Sequence, residues 1–345
     1  MKKVLVVGPS SKTRGGVTSV INAYSGTQEW NEYSCHWIET QIDRGVFQKL
    51  GYFFRAIWQF LFHVNNSQLI HIHLSEPVSA LRKTVFFVIA KLLRKKVILH
   101  FHAFSIQTTI NGKFGQLYRY LFTKCDQLIV LTDSWKNDIQ DKFGKGLPIH
   151  VIYNPSNIVE GRNPINQRDN TILFAGTLSE RKGFIDLINA FALISEKHGN
   201  WRLILAGNGE LDKGKELVSE LGISSNVVFS GWVVGEDKEL LFNNAKIFCL
   251  PSYAEGLPMA ILDALGYGVP IVTTPVGGIP DVLTNRETAL FVPPGDVQAL
   301  SLALDTLMSD PQLIQQLSDS GTSLAIEKFG LKEIMKKIAN IYESN

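Results

Sequence analysis

Glu255 and Asp263 lie on one short stretch of the chain, on either side of a turn that contains Gly256, Leu257 and Pro258. A helix that begins at Pro258 would carry Asp263 roughly 7.5 Å along its axis, at about 1.5 Å per residue. One carboxylate would then lie at the rim of a ligand site and the other deeper inside it. The spacing therefore indicates that the two carboxylates contact different parts of one elongated ligand.

The start of the same helix is suited to an anion. Apolar runs at residues 247–250 and 271–274 enclose it, and this pattern predicts a βαβ unit with parallel strands. Pro258 is expected at the first helical position, because its missing N–H would have no intrahelical partner there. The free N–H groups at a helix start and the positive end of its dipole favour a phosphate. In the alternative interpretation there is no ligand. Glu255 then only interacts favourably with the positive end of the helix dipole, and Asp263 is solvated.

Arg181 and Lys182 form a second group of candidate binding residues. They follow a predicted strand at residues 171–175 and precede Gly183 and a predicted helix. Several cationic donors can share the oxygens of a diphosphate, so a basic pair before a helix start favours such a ligand. A solvated basic pair on the surface is the alternative interpretation.

A glycine-containing loop follows the first predicted strand, at residues 4–7. The loop ends in Gly15 and Gly16, and a helix is predicted from Val17. A strand, a loop and a helix in this order place backbone N–H groups at the carboxyl edge of a sheet, where they can approach a ligand. The loop lacks the G-x-G-x-x-G pattern of dinucleotide-binding proteins, which disfavours an oxidoreductase.

Two of these stretches resemble motifs of the retaining glycosyltransferases of family 4. The segment from Glu255 to Asp263 is similar to the family's Glu-x7-Glu motif, with aspartate in the place of the second glutamate. Residues 176–183 are similar to its Gly-Arg-Leu…Lys-Gly signature, with Thr177 in the place of the arginine. The resemblance extends over nearly the whole chain and is strongest at residues 171–296.

The resemblance implies a role for each candidate residue. Glu255 would hold sugar hydroxyls near the reacting carbon, Lys182 would stabilise the departing diphosphate, and His102 would contact the transferred sugar. Arg181 would take the place of the missing family arginine, and Asp263 would hold the ribose hydroxyls. The expected catalytic residues are Glu255, Lys182 and His102, and the expected nucleotide-sugar-binding residues are Gly16, Arg181, Lys182, Trp232, Val233, Glu255, Gly256, Leu257, Pro258 and Asp263.

The resemblance also implies the reaction. We expect transfer of a hexose from a nucleoside diphosphate sugar to a glycan or lipid-linked saccharide, with retention, in cell-surface polysaccharide biosynthesis. No cofactor and no metal are expected, because cations and a helix dipole can neutralise the diphosphate and the chain has no Asp-x-Asp motif. Two alternatives remain: a sugar-nucleotide epimerase of the same fold, and a non-catalytic partner subunit that binds nucleotide sugar. Because Thr177 and Asp263 differ from the residues of the family's motifs, the sequence leaves the non-catalytic subunit open as an alternative.

A chain of 345 residues suits two domains, each with its own core. Its 45% hydrophobic and 19% charged residues are typical of a folded soluble protein. The resemblance implies the GT-B fold, an α/β architecture with two facing Rossmann-like domains, parallel sheets and a C-terminal helix that crosses back to the first domain. The expected domains are residues 1–160 for the acceptor and 161–325 for the nucleotide sugar, with the terminal helix at 326–345.

The two halves of the chain differ in charge. Residues 1–160 contain 19 Lys and Arg against 10 Asp and Glu, a net charge of +9, whereas residues 161–345 contain 15 against 22, a net charge of −7. This asymmetry indicates that the first half meets an anionic partner. The sequence has no basic stripe interleaved with stacking aromatic residues, so we expect no nucleic acid and favour peripheral contact with an anionic membrane.

Cysteine usage favours a cytoplasmic protein, and the basic and aromatic features of the first half favour the inner face of a membrane. The three cysteines are far apart and lack metal-site spacing, and the apolar run near the N-terminus is too short for a signal peptide.

Residues 51–64 are unusually aromatic for a single helix. Two interpretations remain open: a helix buried against the sheet, or a helix whose aromatic side dips into the membrane interface with Arg55 at the lipid headgroups. The basic residues of the next helix, which include Arg82 and Lys83, are expected on a solvated or lipid-facing surface.

Overall fold

The computed structural model describes residues 2–43, 45–75 and 77–344, and the chain divides into two units. The first unit consists of Met1–Pro155 together with Leu331–Asn345, and the second of Ser156–Gly330. Each unit contains one six-stranded parallel sheet whose strands alternate with helices along the chain. The predicted α/β fold with two Rossmann-like domains is confirmed.

Continuous apolar runs form the strands of the first unit, because both faces of a parallel sheet are covered. The strands are β1 (Val4–Gly8), β2 (His36–Glu39), β3 (Leu69–Leu74), β4 (Lys96–Phe101), β5 (Gln127–Val130) and β6 (Ile149–Val151). They lie in the order β2-β1-β3-β4-β5-β6. The sequence did not predict the edge strand β2, since most of its residues are partly exposed and form no apolar run.

The helices of the first unit are α1 (Gly16–Ser25), α2 (Gln28–Glu32), α3 (Val46–Val64), α4 (Pro77–Leu92), α5 (Gly115–Lys124), α6 (Asp133–Phe143) and the terminal helix (Leu331–Glu343). The terminal helix contributes a hydrogen bond of 2.7 Å between Tyr342 Oη and His71 Nδ1. The Tyr33 hydroxyl donates to Glu343 Oε1 at 2.7 Å. The last helix therefore belongs to the first unit, as the resemblance implied.

Helix α3 has a narrow buried side and a broad exposed one. It contributes only Ala56, Phe60 and Val64 to the core. Phe47 is 90% exposed and Trp58 69%, and the other exposed large apolar residues of this helix are Val46, Leu50, Phe54, Leu61 and Phe62. The interpretation of α3 as a helix buried against the sheet is therefore wrong for its aromatic side. Among the helices that the structure describes, none combines the length and the apolar character needed to cross a bilayer.

Lys83 also departs from the prediction of an exposed basic surface. The residue is 3% exposed, and its Nζ donates to the Ser79 hydroxyl at 2.9 Å, one turn earlier on α4. Burial, with a smaller contribution from Arg82, lowers the pKa of Lys83 to about 7. The inner side of α4 therefore carries an amine that titrates near neutral pH.

The second unit repeats the alternation of strands and helices. Its strands are β7 (Thr171–Ala175), β8 (Arg202–Ala206), β9 (Val227–Gly231), β10 (Ile247–Leu250), β11 (Ile271–Thr273) and β12 (Leu290–Phe291). Its helices are α7 (Phe184–Ser195), α8 (Leu211–Glu220), α9 (Gly235–Asn244), α10 (Met259–Gly266), α11 (Val297–Ser309) and α12 (Pro311–Leu324).

The strand order of the second sheet, β12-β11-β10-β7-β8-β9, creates a switch point beside β7. From β7 the chain adds β8 and β9 on one side and then β10, β11 and β12 on the other. The loops that follow β7 and β10 therefore begin at adjacent strand ends and lead away from each other. In open α/β sheets such a crevice at the carboxyl ends of the strands is the usual ligand site.

Candidate active site

The loops after β7 and β10 are packed closely against each other. Gly183 has φ +70°, and a Cβ at this position would overlap the carbonyl oxygen of Pro251. The Tyr253 N–H donates to the Arg181 carbonyl at 2.8 Å. Only glycine fits this contact and this backbone conformation without strain. The predicted basic pair is thereby brought against the loop that carries Glu255.

Lys182 and Glu255 form an ion pair at the switch point. Lys182 Nζ lies 2.5 Å from Glu255 Oε1, and the Ser252 hydroxyl donates to the same oxygen at 2.6 Å. The side chains of Lys182 and Glu255 are 14% and 6% exposed. Partial removal from water strengthens this attraction, and the two donors fix the carboxylate in one position. Sequence reasoning missed Ser252, because a serine in a loop carries no signal of its partner.

Arg181 lies on the outer side of this pair. Its Nη1 donates to the Ala254 carbonyl at 2.6 Å and lies 4.0 Å from Glu255 Oε2. The side chain is 55% exposed. The guanidinium is therefore directed across the loop after β10, so two cations stand beside one carboxylate. Their excess positive charge is suited to an incoming anion.

Helix α10 starts one residue later than predicted. Pro258 has φ −72° and ψ 127°, so it precedes the helix as its N-cap, and the first helical residue is Met259. The extended ψ turns the Pro258 carbonyl toward the helix, where it accepts from the N–H groups of Ile261 at 3.1 Å and Leu262 at 3.4 Å. The expectation that Pro258 occupies the first helical position is therefore wrong. The first N–H groups of α10 still lack intrahelical acceptors and favour an anion.

A pair of glycines supports the loop that leads into α10. Gly277 has φ +60°, and a Cβ there would overlap the carbonyl oxygen of Glu255. The Gly278 N–H donates to the Gly256 carbonyl at 2.8 Å. Leu257 is buried beneath the loop. The backbone at Glu255 is thus fixed by the contacts of Gly277 and Gly278, and the Glu255 carboxylate is fixed by its own partners.

Asp263 lies inside α10 and is paired with a residue that sequence reasoning missed. Its Oδ2 lies 2.6 Å from Lys238 Nζ on α9. The Asp263 side chain is 9% exposed and that of Lys238 36%. Burial raises the pKa of Asp263, and the nearby Lys238 ammonium opposes this rise. A lysine on an otherwise polar helix gives no sign in the sequence that it faces a buried carboxylate.

The remaining candidates of the second unit lie at another strand. Trp232 and Val233 follow β9, which is two positions from β7 in the sheet. The Trp232 side chain is partly exposed. The structure therefore groups Arg181, Lys182 and Glu255 directly and places Trp232 and Val233 further along the same edge.

Two candidates belong to the first unit. His102 follows β4 and is buried, and its Nε2 lies 2.9 Å from His73 Nδ1. Burial lowers the pKa of His102 to about 3, so the imidazole is neutral at neutral pH. Gly16 is the first residue of α1, after Gly15 with φ 140°.

Models of two protein families match the chain. The model of the glycosyl transferases group 1 matches residues 157–323, and that of Glycosyltransferase Family 4 matches residues 22–158. The chain is 30% identical over 248 residues to an uncharacterized glycosyltransferase of Haemophilus influenzae. This alignment covers 71% of the chain and 69% of the relative.

Solved structures with similar folds cover the whole chain. Sucrose-phosphate synthase from Thermosynechococcus elongatus has a TM-score of 0.81 at 17% identity, with 100% of this chain and 99% of that chain covered. Anabaena HepE in complex with UDP-glucose has a TM-score of 0.82 at 18% identity, with 100% of both chains covered. At these identities the likeness shows the fold.

Proposed function

Because the chain belongs to the glycosyl transferases group 1 family, we propose that it transfers a hexose from a nucleoside diphosphate sugar with retention of configuration. The acceptor is a glycan or a lipid-linked saccharide. The observation that carries this proposal is the Lys182–Glu255 pair at the switch point of the second sheet.

The negative charge that develops on the leaving diphosphate is the feature that this site is suited to stabilise. Lys182 is held in place by Glu255 and is mostly removed from water. The site therefore needs little reorganisation when the sugar–phosphate bond breaks. Arg181 and the first N–H groups of α10 add positive potential beside it. Interactions that strengthen as this bond breaks accelerate the reaction. These groups supply the charge that a metal ion supplies in other transferases, so no metal takes part in this step.

Glu255 is suited to hold the sugar. Its Oε1 accepts from both Lys182 and Ser252, whereas Oε2 lies 4.0 Å from the Arg181 guanidinium. Oε2 therefore keeps capacity for a sugar hydroxyl.

Retention follows if the acceptor attacks the anomeric carbon on the face from which the phosphate leaves. The bond between the anomeric carbon and the phosphate oxygen breaks, the bond to the acceptor oxygen forms on that face, and the acceptor proton passes to the departing phosphate. Glu255 is engaged by Lys182, and Asp263 by Lys238. Both carboxylates are thus paired with lysines, which supports a role for the phosphate itself as the proton acceptor.

The nucleoside is assigned to the edge between α10 and β9. Asp263 takes the ribose hydroxyls, and Trp232 and Val233 hold the base. A uridine diphosphate sugar is the first donor to test, because HepE, which has the same fold, was solved with UDP-glucose.

The acceptor is proposed to be presented at an anionic membrane surface, as in polysaccharide assembly at the inner face of a membrane. Helices α3 and α4 carry no Asp or Glu. Exposed aromatic residues of α3 lie on the same helix as Lys49 and Arg55, and α4 exposes Val78, Leu81 and Leu92. Apolar side chains flanked by basic ones are suited to the headgroup region of anionic lipids.

A thermal-shift screen tests the donor site. UDP, GDP, ADP and their sugars are each added to the chain, and the matching diphosphate is expected to raise the melting temperature because it binds only the folded state. The anomeric configuration of the product, read by NMR, then tests retention. If no nucleotide raises the melting temperature, the donor site is refuted, and an inverted product would refute the retaining reaction alone.

A further inference from the structure

Four histidines occupy one face of the first sheet at two neighbouring strands. His71 and His73 alternate on β3, and His100 and His102 alternate at the end of β4. Alternate residues of a strand point to the same face. His73 is directly opposite His100 in the register of the two strands. All four residues are buried, so the sheet contains a compact cluster of imidazole rings.

Several nitrogens of this cluster are buried without a hydrogen-bond partner among the residues that the structure describes. In His71, His73 and His100 these are His71 Nε2, His73 Nε2 and both ring nitrogens of His100. Native proteins rarely leave buried polar atoms unsatisfied, because each has lost its water without compensation. One ring nitrogen from each of His71, His73 and His100 lies within 4.8 Å of the other two. The cluster therefore has the composition of a ligand set.

We propose that His71, His73 and His100 bind a divalent transition-metal ion, with Zn2+ as the principal candidate. Imidazole nitrogen is a preferred ligand of zinc, copper and nickel. Nitrogens around a tetrahedral zinc lie about 3.4 Å apart when each Zn–N distance is about 2.1 Å. Binding therefore turns the three rings inward, and a water or hydroxide takes the fourth position.

The surroundings of the cluster orient the ligands as in known metal sites. Metal-binding histidines usually engage their second ring nitrogen in a hydrogen bond, which fixes the tautomer. Here His71 Nδ1 meets Tyr342 Oη at 2.7 Å, and His73 Nδ1 meets His102 Nε2 at 2.9 Å. In both residues Nε2 is then the ring nitrogen that has no hydrogen-bond partner among the described residues.

The ion has a structural role. It ties β3 to β4 and, through Tyr342, reinforces the contact with the terminal helix. The three ligands belong to the first unit, whereas the Lys182–Glu255 pair belongs to the second. The inference does not depend on the proposed function.

The test uses the full chain after treatment with a chelator and dialysis. Zn2+ and Co2+ are titrated separately, with calorimetry for stoichiometry, visible absorption for the Co2+ geometry and thermal shift for stability. We expect one ion per chain, the absorption bands of tetrahedral Co2+ with nitrogen ligands, and a higher melting temperature with either ion. Absence of binding by both ions would overturn the proposal.

Variants locate the ion. His71→Gln combined with His100→Gln should abolish binding, and Tyr342→Phe should weaken it by about 10–100-fold, because it removes the group that orients His71. The control is His36→Ala combined with His63→Ala, which removes two partly exposed rings 4.2 Å apart outside the cluster. Binding that survives in Tyr342→Phe at full strength, or that is lost in the control, would place the ion elsewhere and overturn the assignment. The Tyr342 variant and the control decide the outcome even if the double cluster variant does not fold.

Discussion

Lys182 Nζ lies 2.5 Å from Glu255 Oε1, although 73 residues separate the two in the chain. The contact joins the loops of two adjacent parallel strands at the point where the strand order of the second sheet reverses. Because one oxygen of Glu255 is saturated by Lys182 and Ser252, the pair presents a fixed cation and a fixed second oxygen to a ligand. The predictions below begin with this pair.

Lys182→Ala is expected to slow sugar transfer at saturating donor by at least about 100-fold, which corresponds to roughly 3 kcal/mol of barrier for one preorganised donor. The measurement is the turnover number with the donor that the thermal-shift screen identifies. Lys213→Ala is the matched control, since Lys213 is also paired with a glutamate, Glu180, at 2.6 Å on the same unit. Equal turnover in the wild type and Lys182→Ala would remove Lys182 from the catalytic residues.

Lys238→Ala is expected to destabilise the protein more at pH 7 than at pH 5. The substitution leaves the carboxylate of Asp263 buried without its ion-pair partner, and burial already raises its pKa. A carboxyl group whose folded pKa exceeds its unfolded value of about 3.9 stabilises the fold at low pH and loses this contribution as pH rises. Melting temperatures at the two pH values give the measurement.

Asp263→Asn serves as the control for this effect. It removes the ionisable group, so the double variant with Lys238→Ala should show no extra loss at pH 7. The single Asp263→Asn variant should also bind nucleotide more weakly by calorimetry while it remains folded. Equal affinity would exclude Asp263 from the ribose site.

The histidine cluster predicts a loss of stability in mild acid. Burial lowers the pKa of His71 and His102 to about 3 each, whereas an unfolded histidine titrates near about 6.5. Between these values the unfolded chain binds more protons, so the free energy of unfolding falls by about 1.4 kcal/mol per pH unit for each histidine as pH is lowered. Lys83 is protonated in both states below about pH 7 and adds little to this slope.

The melting temperature between pH 7 and pH 5, measured with a chelator present, gives this slope. His71→Gln removes one of the titrating groups and should reduce the dependence on pH. His150→Gln is the control on the same sheet, because His150 lies outside the cluster and is only partly buried. An identical dependence in the wild type and His71→Gln would contradict the assignment.

Trp58→Ala combined with Phe62→Ala is expected to weaken binding to vesicles that contain anionic lipid. The two rings are stacked on the exposed side of α3, with centroids 6.0 Å apart, and the variant removes much of its apolar area. Co-sedimentation at low salt measures the bound fraction. Leu302→Ala is the matched control, since Leu302 and Phe62 are both 67% exposed but lie on different units. If the wild type does not sediment with these vesicles, α3 does not bind anionic membrane.

Local sequence carried much of the information about the donor site. Apolar runs next to glycine and proline predicted the strands at 171–175 and 247–250, and therefore placed Lys182 and Glu255 on loops at their carboxyl ends. The distance between those loops could not be predicted from the same signals. It depends on β10 pairing with β7, a contact between distant segments that no local periodicity encodes.

Charged residues on helices were the least predictable part of the chain. Lys83 and Lys238 look like ordinary solvated lysines in the sequence, yet one is buried beside Ser79 and the other faces Asp263. Packing decides which side of a helix meets the sheet. A single lysine that points inward therefore cannot be recognised among other charged residues on the same helix. The exposed side of α3 was uncertain for a different reason, because its apolar residues cover more of the helix than the core buries.

The bond between Tyr342 and His71 spans 271 residues of the chain. A ribosome that has completed residues 1–155 has not yet made the helix that finishes their unit, whereas residues 156–330 are complete before that helix emerges. The second unit can thus reach its native packing during synthesis. The first unit meanwhile exposes the apolar surface that the terminal helix later covers. Nascent chains of this protein should depend most on chaperones in that interval.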